Sequence, residues 1–474
     1  MNKVTRILLA IGLILAVATP ALAEFKLNGY YRLIGYDAQV RSGGAVTQGG
    51  VGVDGASSDE EGNGNELIDQ RLRLKATYTL NDNVAIVYFA EVDTVWGSNK
   101  GGTKYGTSGF GGSVGSDGVN VETKNAYLDL KYGDTAVILG MQGVADQYQG
   151  IIYNDDMAGV SFKHKMGNTT IGALYSKWQE DDASAWDDAD HYAVGVNQKF
   201  SDNFNAGLTV NYADYNDLNN MYSSLAGNEE ADWEAFYYGV NAAFTAGNFG
   251  VDGFFLFQDG EASSLENDSD DLDTQAMAAS AKAKMKLTNG DVGLRVIYFS
   301  EQDEIELDEE GDIDGNEDLG VWIGDQGQYE FAEENLMQFL VDKFVCNYGK
   351  ERYAIREAAE SGYGLLAFVA SGNHKLPSDM YLNWGAGYFM AMEDNIVDES
   401  RYTGEADQDD REGKTLGWEV AARIGKKFFE KVDVSLNGSY ANYGSFYDNT
   451  VTEKGQKGDP DATYKTYLMV NVPF

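Results

Sequence analysis

Arg71, Arg73 and Lys75 occupy every second position of one stretch, and Lys282, Lys284 and Lys286 do the same in another. Each set therefore shares one face of an extended strand. Arg32 is a further base, while Asp146, Asp155 and Asp156 gather in a single interval. Rows of fixed charge beside water orient solvent and sort solutes by sign and polarity, which makes and breaks no bond. Groups suited to bond-making are scarce. His164, His191 and His374 are far apart, with no nucleophile or metal-ligand spacing around them. Cys346 is the only cysteine, so there is no intramolecular disulfide and no Cys-x-x-Cys-His site. No phosphate loop is present, and Asp312, Asp314 and Glu317 match only part of a calcium loop. The expectation is a protein that is not an enzyme and holds no cofactor, with loop-bound divalent cations the one addition its acids allow.

The elements that position these charges are short. Apolar and polar residues alternate in segments of about ten, separated in turn by tight and by long connections. The tight ones are 81–83, 133–134, 167–168, 201–203, 247–248, 288–290, 377–379 and 429–431. All but the last carry Gly, Asn or Asp in a form suited to a hairpin turn. The long ones are 38–66, 97–119, 143–157, 180–189, 216–231, 259–273, 302–361, 393–412 and 447–461. Eight turns alternating with nine loops imply eighteen strands, both ends of the series lying on the turn side.

Within the strands the two faces separate. Leu72, Leu74, Ala76 and Tyr78 oppose Arg71, Arg73, Lys75 and Thr77; Met277, Ala279, Ala281, Ala283 and Met285 oppose Ser280, Lys282, Lys284 and Lys286. Trp418, Val420 and Ile424 likewise oppose Glu419 and Arg423. Alternation alone does not say which face is inside. Residues 1–23 supply context: Lys3 and Arg6, an apolar run from Ile7 to Val17, then Ala21-Leu22-Ala23, the pattern of a cleaved secretory signal peptide. No other stretch is long and apolar enough for a spanning helix. The chain ends in Leu468, Val470, Val472 and Phe474 at alternate positions, with Tyr467, Met469 and Asn471 between them.

That terminus resembles the assembly signal of outer-membrane barrel proteins, with Phe474 as its last residue. Residues 125–142, which include Tyr127, the turn Gly133-Asp134 and Leu139-Gly140-Met141-Gln142, resemble the strand pair before the third loop of Gram-negative trimeric porins. Met141 stands where that family has an Arg. The resemblance implies an all-β, transmembrane, antiparallel up-and-down barrel of 16 to 18 strands in the bacterial outer membrane, residues 24–474 forming it. It implies a homotrimer, and a third loop folded inward so that Asp146, Asp155 and Asp156 face Arg32, Arg71, Arg73 and Lys75. Lipid, lipopolysaccharide and the barrel-assembly machinery would be its partners.

The formal net charge of −41 argues against nucleic acid as a partner. Acids concentrate in the long connections, for example Asp59-Glu60-Glu61 and Glu180-Asp181-Asp182, so the mouth is expected to favour cations mildly. The long connection 302–361 differs from the rest. Leu336, Met337, Leu340, Val341, Phe344 and Val345 form one helical stripe, a second helical stretch covers 351–360, and the stripe must pack on other loops, in the mouth or on a partner. The expected role is passive diffusion of ions and small hydrophilic solutes through a water-filled channel. A substrate-selective uptake channel and a surface barrel that anchors extracellular components are the alternatives.

Overall fold

The computed structural model describes residues 24–39, 65–97, 121–179, 188–216, 231–264, 272–302, 320, 322–323, 337, 362–394, 413–447 and 462–474. The leader, Cys346, Asp312, Asp314, Glu317 and both helical stretches of 302–361, apart from Met337, lie outside them.

The described chain forms eighteen strands: β1 (Glu24–Gln39), β2 (Asn65–Asn81), β3 (Val84–Val95), β4 (Glu122–Tyr132), β5 (Thr135–Ala145), β6 (Asn154–Met166), β7 (Thr169–Gln179), β8 (Ala189–Lys199) and β9 (Phe204–Tyr215) in the first half. The second half holds β10 (Ala231–Ala246), β11 (Phe249–Ser264), β12 (Leu272–Leu287), β13 (Gly290–Phe299), β14 (Leu365–Lys375), β15 (Met380–Met390), β16 (Thr415–Phe428), β17 (Val432–Tyr443) and β18 (Thr463–Pro473). Each strand pairs antiparallel with its sequence neighbours, and β1 pairs with β18, so the sheet closes into an up-and-down barrel without an edge. Closure reaches the last residue, where Gly29 and Phe474 exchange two backbone hydrogen bonds of 3.0 Å each.

The apolar faces point outward. On β12, Met277 and Met285 are 40% and 47% exposed, whereas Ser280 and Lys282 between them are 4% and 9% exposed. β16 repeats this, with Trp418, Val420 and Ile424 exposed and Glu419 and Arg423 buried. A closed sheet that wears its apolar side chains outside and buries its charges matches hydrocarbon around it and polar surroundings within. Aromatic residues band both ends of the belt. Tyr175, Tyr192, Tyr212 and Phe236 form one cross-strand row at the loop end, and Phe204 pairs with Phe244 at the turn end. Rings at these depths suit the membrane interfaces.

All eight tight connections form, and in three of them a glycine supplies left-handed backbone. Gly133, Gly167 and Gly247 take φ of +55°, +59° and +59°, which glycine adopts without steric cost. The last turn has no such residue. Phe429 and Glu430 are held at φ of +49° and +67°, and the Phe429 ring is 89% exposed. Left-handed backbone costs a residue with a Cβ about 1 kcal/mol or more. Replacing the pair with Asn-Gly (F429N with E430G) is therefore expected to stabilise the barrel by about 1–3 kcal/mol, read as a higher urea midpoint of unfolding in lipid vesicles. An unchanged or lower midpoint would show that the Phe429 ring contributes more at the interface than the turn costs.

Candidate functional site in the barrel interior

A barrel of this strand number is too wide for wall side chains alone to fill. Its interior divides into a charged sector and an apolar one. The charged sector begins on β1 to β3, where antiparallel register sets Arg32 beside Arg71 and Arg71 beside Asp93; Tyr30, Arg73 and Glu91 form the next row, and Asn28, Lys75 and Phe89 the one after. All of these lie on the inward face. Arg71 donates from Nε and Nη2 to both oxygens of Asp93, at 2.7 and 2.6 Å, and lies 3.3 Å from Glu91. Arg73 donates from Nε to Glu91, and its guanidinium stands 5.7 Å and 5.8 Å from the Tyr30 and Phe89 ring centres. Arg32 lies 3.9 Å from Asp69. Bases and acids thus interleave, and each buried charge has an opposite one beside it, as burial demands.

The close carboxylates of these arginines come from neighbouring strands, and two of the three third-loop acids serve other partners. The third loop, residues 146–153 between β5 and β6, does fold inward: Tyr148, Ile151, Ile152 and Tyr153 are all buried. Asp146 is spent holding the loop's own backbone. Its Oδ1 accepts from the N–H of Tyr148 and Gly150 at 2.6 and 2.9 Å, and its Oδ2 from those of Ile152 and Tyr153 at 2.6 and 3.1 Å. Burial pushes its carboxyl above the usual range, against the pull of those four donors. Asp156 sits on β6 in step with Ala158, Val160 and Phe162 of the outward face, bound to Lys124 at 2.6 Å and to Asn125 at 2.7 Å. Asp155 remains exposed and accepts from the Asp156 N–H at 2.7 Å.

Met141 also departs from the expected constriction. Register places it between Ala126 and Ala158 on the outward face, whereas Gln142 is buried inside and accepts from Ser161 at 2.7 Å. The preceding Gly140 is required, because its φ is +124° and a Cβ there would meet the Ala126 carbonyl oxygen at 2.5 Å.

An apolar cluster lines the inner wall of β8 to β15 beside Lys282 and Arg295 of β12 and β13, and the third loop and Trp322, Ile323 and Met337 dock on it. Tyr148 lies over Gly239 of β10, where a Cβ would come within 2.3 Å of the ring, and meets Phe254 edge-on at 5.7 Å. Burial pushes the Tyr148 hydroxyl up to about 12 and that of Tyr153 up as well. His191, one of the three histidines, is fully buried, stacked on Trp178 at 4.5 Å and tilted against Tyr153 at 4.8 Å. His164 and His374 instead bond Thr135 and Trp384, at 2.8 and 3.1 Å. From the seventh loop, between β13 and β14, Trp322 stands between Tyr237 and Phe299, and Met337 rests on Gly385 and Gly387 of β15. Met337 thus packs inside the barrel. The inward aromatic chain Trp178, Tyr215, Trp233, Tyr237, Trp322 and Phe299 is continuous, but its four members from Tyr215 to Trp322 are at most 1% exposed. It anchors loops and offers no open surface to a solute.

Neither a family model nor a curated protein matches the sequence. Solved structures do match the fold. OccAB1 of Acinetobacter baumannii is 13% identical, with 94% of this chain and 96% of that one covered and a TM-score of 0.52. The BenF-like porin of Pseudomonas fluorescens Pf-5 is 9% identical (95% and 98% covered, TM-score 0.51), and the outer membrane protein OpdK of Pseudomonas aeruginosa is 8% identical (95% and 98%, TM-score 0.51). The likeness is one of fold, a closed antiparallel up-and-down β-barrel.

The Asp146 cradle sets a test of how the third loop is held. D146A strands four backbone donors and is expected to weaken loop docking on the order of 3 kcal/mol, exposing 146–153 to protease while the folded barrel still resists denaturation by SDS until heated. Unchanged protease resistance would show that burial of Tyr148, Ile151 and Ile152 suffices.

Proposed function

We propose that this chain forms a water-filled channel in the bacterial outer membrane for passive diffusion of ions and small hydrophilic solutes, with a mild preference for cations. The observation that carries the reading is the closed eighteen-stranded sheet with its apolar belt outside and its charged wall inside. The cation preference follows from a net charge of −41, whose acids concentrate in the long connections, while Arg71 and Arg73 are matched by Glu91 and Asp93 and add little net field. The mouth then acts over about a Debye length, ~8 Å at physiological salt. No cofactor or nucleic acid enters this reading. Divalent cations on the loop acids would bridge the barrel to lipopolysaccharide phosphates, and a homotrimer is the assembly it anticipates.

A second reading, substrate-selective uptake, is favoured by the in-folded third loop and by Trp322 and Met337 seated on the inner wall, since they take up part of the interior. Anchoring of extracellular components is a third.

Planar bilayers separate these readings. The reversal potential across a tenfold KCl gradient is expected to show potassium preference that fades as salt rises. Anion preference would mean that the wall bases outweigh the mouth. Folded barrels without current would favour anchoring, and saturable flux of one solute class would favour selective uptake.

The terminus carries a separate expectation. Phe474 acts as the assembly signal, and its deletion should lower the yield of heat-modifiable barrel in cells well below the wild-type level while refolding in detergent persists. Equal yields in cells would remove that role.

A further inference from the structure

Two segments far apart in sequence, one around Tyr148 and the other at Trp322 and Ile323, reach the wall side by side. On β10, Tyr237 and Gly239 occupy successive inward positions. Tyr237 serves the seventh loop: its hydroxyl donates to the Ile323 carbonyl at 2.5 Å and its ring meets Trp322 edge-on at 5.6 Å. Gly239 serves the third loop as the floor beneath Tyr148. β11 repeats the division. Gln258 accepts from the Ile323 N–H at 2.8 Å, and Phe254 meets the Tyr148 ring. Between them Leu256 is wholly buried, and its Cδ2 lies 2.7 Å from where a Cβ on Gly239 would stand.

Register binds these positions into one block, Tyr237 opposite Gln258 and Gly239 opposite Leu256. The geometry points to a shared seat: Tyr237, Gly239, Leu256 and Gln258 couple docking of the third loop to docking of Trp322 and Ile323, so the two segments hold or release together. The physical reason is packing. Leu256 fills the corner between the Tyr148 ring and the Tyr237–Gln258 pair, and a close-packed interior does not keep an opened gap beside an intact contact. Residues that share partners couple in this way, whereas separated ones act independently. The functional consequence rests on the channel reading above, because joint docking would set the free width of the interior; the coupling itself does not depend on conduction.

Backbone hydrogen exchange by mass spectrometry on the full chain, refolded in lipid nanodiscs, tests it. Y237F with Q258L removes the hydrogen bonds that these two side chains make to Ile323. The expected result is faster exchange at 322–323 together with roughly tenfold faster exchange of the Tyr148, Gly150, Ile152 and Tyr153 amides. In the reciprocal arm, Y148A unseats the third loop without altering the wall, and should speed exchange at Ile323 by a similar factor. Acceleration confined to the loop whose own contacts were cut, in either variant, would overturn the coupling. Bilayer current recorded on the same wild-type preparation keeps the two readings apart, since exchange is read whether or not the barrel conducts.

Discussion

The backbone hydrogen bonds that close β1 onto β18 are the constraint on which everything else in this molecule depends. In hydrocarbon an unpaired N–H or C=O costs several kcal/mol, and a sheet avoids that cost only by having no edge. Every strand from Glu24 to Pro473 is paired on both sides, and the two hydrogen bonds between Gly29 and Phe474 complete the seam. Once the cylinder closes, the period of two in each strand assigns one set of side chains to lipid and the other to the interior.

Closure also explains why charges can be concentrated inside. Arg71 and Arg73 would be unfavourable against lipid, yet on the inner wall they sit in a lattice whose next strand supplies Asp93 and Glu91 in register. The result is a comb of alternating sign with little net charge. Asp146 illustrates a different use of the same residue type, as an acceptor that shapes eight residues of backbone so that their apolar side chains can face the wall.

The interior is asymmetric because the wall is. Where β10 and β15 carry glycine at inward positions, a loop side chain takes the space: Tyr148 at Gly239, Met337 at Gly385 and Gly387. Where β1 to β3 carry long charged side chains, those side chains occupy the inner surface and pair with one another. The pattern of small and large residues around the circumference thus chooses which side the loops cover and which side is left to charge.

Strand number, turn positions and the division of faces were legible in the chain itself, because turn residues and alternation are local properties that tertiary contacts seldom override. The pairing of Arg71 with Asp93 and of Arg73 with Glu91 was not, since a turn at Asp82-Asn83 by itself would set Arg71 opposite Thr94 and Arg73 opposite Val92, and a bulge between Thr79 and Asn81 shifts the register by one. The third loop was legible only as an interval with three acids. Its other signal, Tyr148, Ile151, Ile152 and Tyr153 within eight residues, marked a buried segment but named no seat, and the acids drew attention to a constriction that two of them do not build. Sequence by itself determined the strands, their turns and the separation of their two faces, because period and turn chemistry act between near neighbours. Tertiary structure alone decided which wall glycines receive the loops and which carboxylates meet which bases, because those contacts join residues from about twenty to more than eighty positions apart and arise only when the ring has closed.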